Sequence, residues 1–212
     1  MNIQWIGSPN FELYRRGYKP LAIVNHIMCG TLEGTDSWFK NPASQVSAHF
    51  GVGKNGEIHQ YVNELSTAWA NGRKSTPDES WLANFPAGVN PNLWTISIEH
   101  EGYPEDGLTE AQTKATIELH KYLVEKWNIP IDPIHITGHF RIDSVSRKDC
   151  PGPKFPWDRL FKELKGGYQM KPEDANKIIE FLQAAYGIDP NPEFGRLADE
   201  LRLASGQEPQ NK

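Results

Sequence analysis

Apolar positions along the chain fall into two patterns. Continuous apolar runs with polar ends occur at Pro20-Leu21-Ala22-Ile23-Val24-Asn25-His26-Ile27-Met28 and at Leu93-Trp94-Thr95-Ile96-Ser97-Ile98-Glu99. Both read as strands buried on two faces. Ile134-His135-Ile136-Thr137-Gly138-His139 is a shorter strand leading into a loop. Ser47–Val52 and Glu57–Val62 flank Lys54-Asn55-Gly56, and Asn-Gly between two such segments predicts a hairpin. Helical spacing appears instead in Ala111–Trp127, where Ile117, Leu119, Tyr122, Leu123 and Trp127 share a face and Thr109 is placed to cap the N-terminus. Shorter helices are expected to begin near Thr35 and end at Asn41-Pro42, and to begin again at Pro156. Residues 71–92 are rich in Gly, Pro, Asn and Ser without a period, which predicts a long surface loop of the kind that lines binding sites.

Strands alternating with one long helix and several loops predict an α/β fold, a central mixed sheet flanked by helices. Gly166-Gly167 marks a boundary, giving a main domain over 1–166 and a helical region over 167–212. In that region, Pro172–Tyr186 and Pro192–Leu203 read as two amphipathic helices joined by Gly187-Ile188-Asp189-Pro190. Two helices alone bury little core, so they are expected to dock on the main domain, on a second copy as a homodimer, or on a target. Residues 205–212 read as a frayed tail.

Composition narrows the picture. With 212 residues, 38% hydrophobic and 23% charged, the chain has the make-up of a folded globular protein. A net charge of -5 argues against nucleic acid as a partner, which calls for a basic face. No stretch approaches the ~20 apolar residues of a membrane span. The first residues lack a basic start followed by an apolar run, so the expectation is synthesis in the cytoplasm without a signal peptide. Cys29 and Cys150 are too few for a disulfide framework.

Groups able to do chemistry gather at strand ends: His26, Glu99, His139, Lys148, Asp149 and Cys150. Taken singly, each has a structural explanation, and no local metal motif such as HExxH occurs. Their surroundings carry more. His26-Ile-Met-Cys-Gly-Thr, Ser47-Ala-His-Phe, Thr67-Ala-Trp, Ser97-Ile-Glu-His-Glu-Gly, Gly138-His-Phe and Lys148-Asp-Cys-Pro-Gly-Pro-Lys-Phe-Pro-Trp follow in this order. Over roughly residues 20 to 165 the chain resembles the type-2 zinc-dependent N-acetylmuramoyl-L-alanine amidases, a family that includes peptidoglycan-recognition proteins and phage or prophage endolysins.

The resemblance implies a hydrolase acting on the amide between N-acetylmuramic acid and L-alanine in peptidoglycan. It implies zinc held by His26, His139 and Cys150, a donor set that leaves one position open. Asp149 is a rival to Cys150, which holds the slot directly before Pro-Gly. Glu99 matches a Glu that relatives use as general base, with Glu101 as competitor because period-2 alternation puts both on one face. Lys148 matches a cation that stabilises the oxyanion. Trp69, Asn71 and the loop after them are expected to line the peptide-stem groove. Ala70 stands where many relatives have His, and Ala48 where some phage members have Tyr. His49, His59, His100, His120 and His135 are assigned structural or surface roles.

Three alternatives stay open: a non-catalytic peptidoglycan-binding module, a cytoplasmic muropeptide-recycling amidase, and a thiol hydrolase with Cys150 as nucleophile. The presence of all three ligand residues speaks against the first, and Pro151-Gly152-Pro153 against a helix start that would activate Cys150. The appended helices favour a bacteriolytic enzyme released to the cell wall through a holin-type pore.

Overall fold

The computed structural model describes residues 1–72, 76–166 and 171–210. The chain divides into two compact units, Met1–Lys165 and Gly166–Lys212. Gly167 of the expected boundary and residues 73–75 of the expected loop lie outside the described residues.

In the first unit the apolar runs become the centre of a mixed sheet. Its strands are β1 (Ile3–Trp5), β3 (Ala22–Ile27), β4 (Phe50–Val52), β5 (Ile58–Gln60), β7 (Thr95–His100) and β8 (Ile136–Gly138), in the order β1-β5-β4-β7-β3-β8. Within this sheet the β4–β5 hairpin pairs antiparallel, while β1–β5, β4–β7, β7–β3 and β3–β8 pair parallel. A separate antiparallel pair joins β2 (Phe11–Glu12) to β6 (Thr67–Ala68). Every residue of β3 is buried, as a parallel strand covered on both faces requires.

Alternation along β3 and β7 sends successive side chains to opposite faces. Ile23, Ile96 and Ile98 join the core under α3 (Glu110–Trp127), with Leu119 and Leu123. Ala22 and Val24 face the other way, into a second cluster with Trp81, Phe85, Leu93, Trp94 and Ile142. The helix α3 starts on a capping box between Thr109 and Gln112 and stops at Asn128 in the left-handed region. The first helix, α1 (Leu32–Lys40), is longer than expected, because Thr31 caps it by accepting the Gly34 N–H.

Residues 76–92, within the expected surface loop, depart from that reading. Asp78 caps a single turn, α2 (Glu79–Leu82), and Pro91–Leu93 form a 3-10 turn. Trp81 is buried, packs with tilted rings against Phe85 and Trp94, and donates its Nε1–H to Ile134 O at 2.8 Å. Short turns anchored by single large side chains produce no period, so the sequence shows only their Gly and Pro.

The unit ends with α4 (Trp157–Lys165). In the second unit α5 (Pro172–Ile188) and α6 (Pro192–Ala204) form a hairpin around Ala175, Ile179 and Ala198, with Leu182 and Leu201 packed against them. Ile178, Phe181, Ile188 and Leu203 are exposed. Among the described residues no helix is long and apolar enough to cross a membrane.

Candidate active site and metal centre

The parallel strands bring the chemistry to their carboxyl ends, the edge where open α/β sheets bind ligands. His26 continues the Ala22–Val24 row near the end of β3 and pairs in register with Glu99 of β7. On the other side of β3, Asn25 pairs with Gly138, so the next residue, His139, lies beside His26. Their Nδ1 atoms are 3.0 Å apart. Cys150 closes the group after the turn that follows β8, its N–H held by Arg147 O at 3.0 Å. The ligand atoms of His26, His139 and Cys150 all lie within 4.8 Å of one another, and among the described residues this is the group with metal-binding make-up.

Two neutral imidazoles and a cysteine sulfur, which would bind as the thiolate, are a donor set that fits a zinc ion. Burial holds His26 well below the ordinary histidine range, helped by His139. Burial, with Arg147 second, lowers His139 to about 4. Both rings are therefore neutral near pH 7 and offer lone pairs. Burial pushes the Cys150 thiol up to about 12, the opposite of what a free thiolate nucleophile needs. Asp149 is exposed on the cavity wall and outside the triad.

Glu99 faces the same cavity. Its Oε2 is buried without a hydrogen-bond partner, and burial pushes its carboxyl up to about 7 against the pull of Arg147. Glu101 separates from it. β7 ends at His100, the chain bends, and the Glu101 carboxylate accepts the Lys54 N–H at 2.8 Å. Only Glu99 lines the cavity.

That cavity is about 490 Å³ and is lined by His26, Trp38, Trp69, Glu99, His139, Arg147, Lys148 and Cys150, among others. Lys148 is exposed on its wall. Arg147, not singled out in the sequence, is the cation whose charge acts on His26, Glu99, His139 and Cys150. Trp38, on α1, was also missed; it is 55% exposed at the rim, where Trp69 is 36% exposed. An apolar residue on the polar face of a short amphipathic helix was the available signal for Trp38. For Arg147 there was none beyond its place beside Lys148.

Asn71 is not in the groove. It is fully buried, and its amide donates to Thr95 Oγ1 and Ser97 Oγ, each at 2.9 Å. The five remaining histidines lie outside the triad. The His49 Nδ1 accepts the Ser97 N–H, His59 pairs with Asp36, His135 with Asp132, and the His120 ring bonds Thr116 O inside α3. His100 donates Nδ1–H to the His26 carbonyl at 2.9 Å, tying the ends of β3 and β7 together.

A parallel-centred α/β sheet thus carries at its strand ends a His-His-Cys cluster that could hold a metal ion, beside a buried carboxylate, the make-up of a hydrolase site. Residues 16–153 match the family described as N-acetylmuramoyl-L-alanine amidase, and the chain belongs to that family. It is 29% identical over 165 residues to N-acetylmuramoyl-L-alanine amidase A of Achromobacter lyticus, covering 69% of this chain and 84% of that protein. It is 32% identical over 173 residues to the 1,6-anhydro-N-acetylmuramyl-L-alanine amidase AmpD of Salmonella typhimurium, covering 73% and 86%. Among solved structures, an AmpD derivative superposes with a TM-score of 0.63 at 25% identity, covering 76% of this chain and 94% of that one. The amidase LysC from Clostridium intestinale shares the fold with a TM-score of 0.57 at 22% identity, over 78% and 98%.

Proposed function

We propose that this protein is a zinc hydrolase that cleaves the amide between the lactyl group of N-acetylmuramic acid and L-alanine in peptidoglycan. The observation that carries the reading is the convergence of His26, His139 and Cys150 beside Glu99 in one cavity of a chain belonging to the amidase family. His26, His139 and Cys150 would hold the metal. Zinc, when bound there, supplies a Lewis acid that polarises a carbonyl and lowers the pKa of water toward ~7.

The chain's own groups do the rest. Glu99 takes a proton from the attacking water as its oxygen bonds the carbonyl carbon, and delivers it to the alanine nitrogen as the C–N bond breaks. Lys148, with Arg147 beside it, offsets the charge that develops on the carbonyl oxygen. Trp69 and Trp38 flank the cavity mouth and offer flat apolar faces to the substrate.

The wall-lytic role rests on the likeness of fold to the endolysins and on the appended helices. The similarity to AmpD supports a second reading, in which the substrate is a soluble anhydromuropeptide.

The test is to incubate the protein with intact walls and with purified muropeptides and to identify the new ends. New L-alanine amino termini on either substrate support the reading, and the preferred substrate separates the two roles. New reducing ends, or new D-amino-acid termini, would overturn it.

A further inference from the structure

We propose that Asn71 is a positioning residue for the metal centre: its side-chain carbonyl receives the Nε2 proton of His26 and so leaves the Nδ1 lone pair facing the ion. The inference rests on reading the triad as a zinc site.

The sheet sets the geometry. On the face that carries Val24 and His26, the register partners are Ser97 and Glu99. Asn71 sits on that face, over Thr95 and Ser97, and both hydrogens of its Nδ2 are spent on their hydroxyl oxygens. The amide cannot be turned round. The Thr95 hydroxyl gives its own proton to Pro91 O at 2.7 Å, so toward Asn71 it is an acceptor and must meet the NH₂ group. The Asn71 backbone is pinned as well, with its N–H on Asn92 Oδ1 at 2.5 Å.

Oδ1 is therefore left to face away from the two hydroxyls. It is buried and completes no hydrogen bond, and the buried Nε2 of His26 also completes none. The Asn71 side chain nevertheless acts on the His26 ring, weakly and in the direction that favours a proton there. Two buried groups without partners, the Asn71 Oδ1 acceptor and the His26 Nε2 nitrogen, thus lie on one face of the sheet.

A neutral imidazole carries one proton. An acceptor at Nε2 keeps it there and leaves Nδ1, the atom 3.0 Å from His139 Nδ1, free to ligate. Without that acceptor the proton is free to occupy Nδ1, where it blocks the ligand position. This role replaces the groove contact expected of Asn71.

Two variants test it: Asn71→Leu, of similar size without an acceptor, and Asn71→Asp, which keeps an acceptor oxygen. Zinc affinity is measured by competition with a chromophoric chelator, and the His26 tautomer by long-range ¹H–¹⁵N spectra of the zinc-free protein. Asn71→Leu is expected to weaken zinc binding about 10–100-fold, the usual effect of losing a group that orients a ligand. It should also move His26 toward the Nδ1–H tautomer, and Asn71→Asp should recover most of both. Wild-type zinc affinity and tautomer in a folded Asn71→Leu, with only a lower unfolding temperature, would overturn the proposal and leave Asn71 a packing residue. So would an Asn71→Asp protein as impaired as Asn71→Leu. A wild-type protein that binds no zinc would overturn the zinc reading itself.

Discussion

Two glutamates two residues apart in β7 and just beyond it have different fates because the strand ends between them. Alternation alone places Glu99 and Glu101 on one face, whereas the bend after His100 takes Glu101 to the Lys54 N–H and leaves Glu99 with a buried, unpaired oxygen in the cavity. Glu99→Gln should keep the fold and the zinc and lose about 10²–10⁴ in kcat with little change in KM, the range of a general base. Steady-state kinetics with metal analysis checks this. A near wild-type rate for Glu99→Gln together with a dead Glu101→Gln would move the base two residues along. The cation is a second residue-level choice. Lys148→Ala should lower kcat with zinc retained, by up to about 10²–10³ as for a lost oxyanion donor. If Arg147→Ala carries that loss and Lys148→Ala does not, the role belongs one residue earlier. His26, His139 and Cys150 were readable because motif residues surround each of them. Arg147 and the buried place of Asn71 were not, because a loop charge and a buried amide leave no periodic trace.

At the level of elements, the runs that became β3 and β7, the Asn-Gly hairpin and the long helix α3 could be read from period and capping alone. Residues 76–93, which precede β7, could not, since they are held by tertiary contacts rather than by a repeat. Trp81 is the anchor, with two aromatic neighbours and a hydrogen bond to Ile134 O. Trp81→Ala should cost roughly 3–5 kcal/mol, the range for truncating a large buried aromatic, measurable by denaturant unfolding. A loss below about 1 kcal/mol would mean that the segment does not support the domain. Asp78 gives the same segment a pH dependence. The Ser80 hydroxyl, then the Arg141 guanidinium and the Trp81 N–H, pull its carboxyl down to about 2. A folded value below the unfolded ~3.9 means that the contribution is complete above about pH 4 and is lost as pH falls through 2. The gap in Tm between wild type and Asp78→Ala should therefore be widest near neutral pH and close between about pH 4 and 2. A gap that stays constant over that window would show that the neutral carboxyl serves equally well.

For the whole molecule, the groups proposed to be catalytic lie in Met1–Lys165, while α5 and α6 form a unit of their own with a small core and exposed Ile178, Phe181 and Ile188. A protein ending at Lys165 should fold, bind zinc and cleave soluble muropeptides at near the full rate. Its activity on intact walls should fall if the helices hold the wall. Equal activity on both substrates would assign the helices to packing or to self-association, which sedimentation of the full chain would show. The central claim is a zinc amidase built on His26, His139 and Cys150, and one titration tests it most directly. The full-length protein is stripped with a chelator, zinc is added back stepwise, and release of L-alanine amino termini from a purified muropeptide is followed alongside bound metal. Activity should vanish on stripping and return in proportion to zinc up to about one ion per chain, with Cys150→Ala neither holding that zinc nor recovering. Full cleavage by the stripped protein, or stoichiometric zinc and normal activity in Cys150→Ala, would contradict the account.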